Sequence, residues 1–283
     1  MQTTRVIRAL VSLICLPVLL GACASIERLA IPEAEIQDRT WLAHSPESTE
    51  VVDHAAWQTW LQRYLVSDSD GVARVRYAAV EPADRERLEA YLARLQAVDV
   101  GDLDRDEQLA FWVNLYNART VLLILEHYPM ESIRDITFET FAIGPWSEPL
   151  LEVRGRPLSL HDVEHRIIRP IWRDARVHYV LNCAAVGCPN LGEDAYRGAT
   201  IDQAMDAAAR AYVNNSRGVA LADGELVMSK IYAWYPDDFG GSERAAIDSA
   251  HQFAAPDLAK RLEGRTSIDR YRYDWSLNDA AAS

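Results

Sequence analysis

Two cysteines five positions apart stand in the segment Val177-His178-Tyr179-Val180-Leu181-Asn182-Cys183-Ala184-Ala185-Val186-Gly187-Cys188-Pro189, in company with a histidine and an asparagine. A thiol becomes a nucleophile when its pKa is lowered, whereas two thiols this close can equally close a small structural disulfide. Read as an extended stretch, Arg176 to Cys183 turns His178, Val180 and Asn182 to one face and Cys183 to the other. Cys188 differs, because Gly187 before it and Pro189 after it suit the first turn of a short helix, whose positive end favours a thiolate. A nucleophilic Cys188 needs a base. His178 or His165 can supply it, with Glu164, Asn182 or Asn114 fixing the tautomer, as in cysteine proteases and transglutaminases. The chemistry this implies is hydrolysis or transfer at an amide or ester. The non-catalytic alternative is a binding or scaffolding module in which a Cys183–Cys188 disulfide stiffens a loop.

A third chemistry rests on His161-Asp162-Val163-Glu164-His165, which matches H-x-x-E-H. Histidines four apart on one helical face can hold zinc while the glutamate serves as base, but a third ligand is required, for which Asp238, Glu243 and Cys188 are the candidates. No cofactor is expected, and the metal reading stays a weak alternative on His161 and His165. Trp234, Tyr235 and Asp238, in Lys230-Ile231-Tyr232-Ala233-Trp234-Tyr235-Pro236-Asp237-Asp238-Phe239, are candidate binding residues. Aromatic side chains more often fill cores, yet a carboxylate among them must find a donor or stay protonated.

The elements that must position these groups alternate in type. Helical periodicity runs over 52–65, 83–97, 106–127, 201–213 and 243–263. Hairpins are expected about Arg154-Gly155 and about Asp223-Gly224, where positive φ is accessible. Ser159 and Asp162 form a capping box at the head of a helix from His161 to Arg169. The stretch from Asp106 to Leu125 is apolar on nearly every side, so it is a buried helix, and Asn114 and Asn117 on it must be hydrogen-bonded inside the protein. They either fasten the loops packed over them or, in the functional reading, orient a substrate or a catalytic group. The fold class is α+β, one globular domain over 51–283 with helices packed on a mainly antiparallel sheet.

The first residues bear on compartment. Arg5 and Arg8 precede an apolar run from Ala9 to Leu20, and Leu20-Gly21-Ala22-Cys23 closes it with small residues before a cysteine. The run is too short for a permanent membrane helix and resembles a bacterial lipoprotein signal. Residues 1–22 are then expected to be removed, Cys23 to be lipidated, and 23–50 to form the lipidated N-terminus and tether. Ala24 after the cysteine favours the outer membrane, so the expected place is the cell envelope, on its periplasmic face. The formal charge of −13 becomes more negative once Arg5 and Arg8 are gone. Such an acidic body repels phosphate backbones and anionic headgroups, which argues against nucleic acid and makes the lipid the membrane partner. The ligand expected is a small molecule, a peptide or an envelope component.

Five blocks in order carry a family resemblance: Phe111-Trp112-Val113-Asn114-Leu115-Tyr116-Asn117, Val163-Glu164-His165-Arg166-Ile167-Ile168-Arg169, His178 through Leu191, Lys230 through Phe239, and Tyr273-Asp274-Trp275-Ser276-Leu277-Asn278. Together they span 106–278 and resemble the domain of unknown function 547 family, which occurs in bacteria and plants and for which no shared reaction is established. The resemblance draws attention to Asn114, Asn117, Glu164, His165, His178, Asn182, Cys183, Cys188, Pro189, Asp238 and Trp275, and His161 lies just outside its block.

Overall fold

The computed structural model describes Arg28, residues 31–138 and residues 144–280. The expected signal segment 1–22 and the lipidation residue Cys23 lie outside the described residues. In order, the elements are α1 (Ala55–Tyr64), β1 (Leu65–Ser67), β2 (Ala73–Val75), α2 (Pro82–Gln96), α3 (Arg105–His127), β3 (Pro149–Val153), β4 (Arg156–Ser159), α4 (Arg169–Trp172), α5 (Ile201–Val213), β5 (Val219–Ala222), β6 (Glu225–Ser229), α6 (Ile231–Trp234), α7 (Glu243–His251), α8 (Pro256–Leu262) and β7 (Arg270–Arg272). This is an α+β domain. Its strands form three small sheets: β1 with β2, β3 with β4, and β5-β6-β7. All pairings are antiparallel except β6 with β7, which is parallel. Both expected hairpins form, and Arg154, Gly155, Asp223 and Gly224 take positive φ at their turns.

Helix α3 is the axis of the packing. Asp104 caps it by accepting from the Glu107 N–H, and every residue from Glu107 to Ile124 is buried, as its all-round apolar pattern requires. No helix among the described residues is long and apolar enough to cross a membrane. The buried amides on α3 are consumed by backbone. Asn114 Nδ2 donates to the Tyr196 carbonyl at 2.8 Å while its Oδ1 accepts from the Tyr196 N–H at 3.0 Å. Asn117 Nδ2 donates to the Val180 carbonyl at 2.8 Å, and its Oδ1 accepts from the Asn182 N–H at 2.9 Å. Each amide thus fastens a stretch that has no regular secondary structure to pair its own groups.

Three expectations change. The segment Arg176 to Cys183 is not a strand: Asp174 accepts from the Arg176 N–H and starts a 3-10 turn over Ala175–Tyr179, after which the chain runs irregularly, held by Asn117. The opposed faces inferred for His178 and Cys183 disappear with the strand. Cys188 does not begin a helix either. It closes a turn, its N–H donating to the Ala185 carbonyl at 3.0 Å. The loop is then clamped by the C-terminal segment, since Gly187 N–H donates to the Asp274 carbonyl and Val186 N–H to that of Ser276, both at 2.8 Å. Only glycine fits at 187, where a Cβ would come within 2.6 Å of the Asp274 nitrogen. Third, residues 31–50, assigned to the tether, are packed on the body. Trp41 is buried edge-on to Trp112 with ring centroids 5.4 Å apart, and Glu35 N–H donates to the His165 carbonyl.

Asn117→Ala leaves two buried backbone groups unpaired at about 1–3 kcal/mol each. It is expected to lower unfolding stability by about 2–4 kcal/mol in urea titrations and to speed alkylation of the cysteine loop. Asn114→Ala should cost a similar amount without changing thiol reactivity. Equal reactivity in the two variants would contradict the assignment of Asn117 to the loop.

Candidate functional site

Two apolar clusters make up the core, one around α3 and one around α5, β6 and α6. A cavity of about 150 Å³ opens where they meet, with Leu181 from the first, Ile231 and Trp234 from the second, and Trp275 packed against both. Its polar side holds Glu164, His165, His178 and the two cysteines. Its aromatic side holds Trp146, Tyr235, Tyr273 and Trp275.

Glu164 and His165 are placed by a helical stretch that starts on the expected capping box: Ser159 N–H donates to Asp162 Oδ2 at 2.8 Å, and Asp162 N–H donates to Ser159 Oγ at 3.0 Å. From Asp162 to Ile168 the stretch is π-helical, and it then continues into α4. Such widened turns shift side chains off the regular helical spacing and are frequent at functional sites. Glu164 is turned inward, where Tyr116 Oη donates to its Oε2 at 3.2 Å. Burial opposes the Glu164 charge, but the His165 and His178 imidazoles and the Arg169 guanidinium around it outweigh burial and hold its pKa below the usual glutamate value. Burial pushes His165 down to about 3. It is therefore neutral at neutral pH, with Nδ1 accepting from Arg169 at 2.9 Å.

Asp238 ties the histidine corner together. Its Oδ2 accepts from Arg169 Nε at 2.6 Å and from His178 Nε2 at 2.6 Å. Burial disfavours the Asp238 carboxylate, yet these two hydrogen bonds outweigh it and hold the group far below the ordinary carboxylate range. Tyr235, three residues earlier, fills the angle between the two donors: His178 stacks on its ring at 4.0 Å and the Arg169 guanidinium lies 4.8 Å from its centroid. On its other edge His178 Nδ1 faces Glu164 Oε1 at 3.9 Å.

The cysteines form a separate corner of the same cavity. Cys188 Sγ is 2.6 Å from Cys183 Sγ and 2.9 Å from the Cys183 backbone nitrogen, and the Tyr273 hydroxyl lies 3.0 Å from Cys183 Sγ. The hydrogen bonds can run in one direction, from Tyr273 O–H to Cys183 and from Cys183 S–H to Cys188. Burial works against a Cys188 thiolate, but the Cys183 and Tyr273 donors more than offset it and lower the Cys188 pKa. Cys183, which donates the shared hydrogen and is buried, is pushed up.

The structure brings Cys188, His178, His165, Glu164, Trp234 and Tyr235 into one cavity lining, with Asp238 directly behind His178. It does not bring Asn114, Asn117 or Asn182 into that lining. The first two hold backbone, and Asn182 bridges the cysteine loop by donating to the Pro189 carbonyl at 2.7 Å and accepting from Ala184 N–H at 2.9 Å. Nor are His178 and His165 in hydrogen-bond contact with sulfur, the contact expected of a base. His178 is turned to two carboxylates and His165 Nδ1 to Arg169, so no hydrogen bond joins either imidazole to Cys183 or Cys188. His161 and His165 rings are 5.0 Å apart, but among the described residues no group of three or more metal-binding side chains is arranged around an ion position. Sequence reasoning missed Tyr273 as a sulfur partner, although it begins the last of the five blocks.

An α+β domain whose thiol pair and buried acid–histidine cluster share one aromatic cavity is thus defined. Residues 100–213 match the family described as Protein of unknown function, DUF547, the family recognised in the ordered blocks. The blocks at 230–239 and 273–278 lie beyond that segment, yet they complete the same cavity. No curated protein and no solved structure matches the chain.

The buried histidines generate a pH dependence of stability. His165 and, away from the cavity, His54, which burial lowers to about 4, refuse protons that the unfolded chain accepts near 6.5. Their contribution is complete above about pH 6.5 and is lost on acidification toward the folded values, at up to about 1.4 kcal/mol per pH unit for each histidine. Urea titrations between pH 7.5 and 4.5 should show this fall, and His54→Gln should flatten it by the share of one group. An unchanged slope in that variant would refute the assignment.

Proposed function

We propose that the protein is a thiol-dependent enzyme acting on an amide or ester, with Cys188 as nucleophile, and that it works at the cell envelope, held by a lipid on Cys23 on the periplasmic face of the outer membrane. The observation that carries the catalytic reading is the donor set on Cys188 Sγ, namely the Cys183 thiol and backbone N–H, at the edge of the cavity. A thiolate prepared in this way does not need a histidine to remove its proton at the moment of attack. Attack on a carbonyl carbon forms the Cys188–acyl bond and breaks the bond to the leaving group, which takes its proton from Cys183 S–H as Tyr273 O–H replenishes it. Attack by water or an amine then releases the acyl group, frees the Cys188 thiolate and returns one proton, through the already refilled Cys183, to Tyr273. His178, held between Asp238 and Glu164, is suited to orient that second nucleophile rather than to serve sulfur.

The closeness of the sulfurs also favours a second reading, a binding module in which Cys183 and Cys188 are joined. Iodoacetamide labelling resolved by mass separates the two. The catalytic reading expects labelling of Cys188 without prior reduction, with a midpoint below the free-thiol value of about 8.5, moved upward by Tyr273→Phe. Labelling that appears only after reduction, at both cysteines together, supports the joined pair and removes the nucleophile.

A further inference from the structure

The walls of the cavity suggest what enters it, given the reading of the cavity as a substrate site. A cavity near 150 Å³ admits a group about the size of benzene. On one side Trp234, Tyr273 and Trp275 form a cluster with centroids 4.7 to 5.5 Å apart, and Trp146 meets Trp275 at 5.7 Å. Aromatic rings attract a cation through their quadrupoles, and most strongly where water is excluded. The Glu164 carboxylate lines the same cavity, buried, with the Tyr116 hydroxyl on Oε2 and His178 Nδ1 at 3.9 Å from Oε1. Arg169, whose charge also acts on Glu164, is hydrogen-bonded to Asp238, as is His178. A buried carboxylate is costly unless a counter-charge meets it. Arg134, the arginine in the wall, is held over the Trp275 ring at 5.1 Å.

From this juxtaposition we propose that the cavity is an amine subsite: a small protonated amine pairs with Glu164 and lays its apolar part against the Trp234, Tyr273 and Trp275 rings. The assignment also fits the chemistry at Cys188, because an amide made or broken there has an amine on one side of the bond. Glu164 is then the residue that selects an amine over a neutral group of the same shape.

The test uses the tryptophans of the wall as reporters. Benzylamine and its neutral counterpart benzyl alcohol are titrated into the protein, and intrinsic fluorescence is read in the parent, in Glu164→Gln, in Trp275→Leu and in a variant with both Cys183 and Cys188 changed to Ser. The amine should bind at least tenfold more tightly than the alcohol in the parent and in the serine variant. Glu164→Gln should abolish the preference, and Trp275→Leu should weaken the amine several-fold while leaving Glu164 in place. Near-UV circular dichroism checks that each variant keeps its packing, and Trp275→Leu decides the matter if Glu164→Gln does not fold. Equal binding of amine and alcohol by the parent, or unchanged amine binding in the folded variants, overturns the proposal. An amine preference that survives in the serine variant while Cys188 proves unreactive would sink the thiol mechanism alone.

Discussion

A helix that is apolar on every side can carry a polar side chain only if something else in the protein completes its hydrogen bonds. On α3 this constraint falls on Asn114 and Asn117, and both meet it by taking backbone as partner. Because each amide offers a donor and an acceptor, each fixes a peptide segment in two directions at once. The segment fixed by Asn117 leads into the cysteine loop, and Asn182, the next residue in line, closes that loop on itself. The placement of the thiols therefore descends from a packing requirement in the core, and the irregular path of the chain there is a consequence of side-chain hydrogen bonds rather than of sheet pairing.

Charge in the cavity follows a similar economy. Arg169, His178 and Asp238 come from three separate parts of the chain, and one carboxylate oxygen accepts from both donors. Tyr235 fills the remaining space with its ring, so that three polar groups are desolvated together without leaving a donor stranded. The result separates the cavity into two chemically distinct corners. One is a preorganised acid–histidine cluster centred on Glu164 and His178. The other is a sulfur pair with the Tyr273 hydroxyl beside it. The contact expected between them, imidazole to thiol, is absent because the carboxylates compete for the imidazole and win at 2.6 Å.

Much of the scaffold was legible before any coordinates. The helices at α1, α2, α3 and α5 and both hairpins follow from periodicity and from Gly and Asp at the turns, which are local properties. The capping box at Ser159 was legible for the same reason. The run from Arg176 to Cys183 was misread because its apolar, β-branched composition suits a strand, whereas the deciding interactions are the Asp174 cap and an amide from α3 some 65 positions away. Tyr273 lies 90 positions from Cys183, and no spacing rule could join them. The packing of Trp41, in the stretch read as tether, was hidden for the same reason, since its partner Trp112 lies far along the chain.

The clamp of residues 274–278 on the cysteine loop carries a consequence for how the protein is made. Gly187 and Val186 are paired to carbonyls of that segment, Ala185 bridges to Leu277, and Tyr273 and Trp275 enter the cavity beside it. A chain emerging in order from its N-terminus can assemble α3 and both sulfurs well before these partners exist. Until they arrive the loop lacks its clamp and Cys183 lacks the Tyr273 hydroxyl. The sulfur corner is thus the last part of the molecule to acquire its character, and a nascent chain carries its thiols unguarded through synthesis.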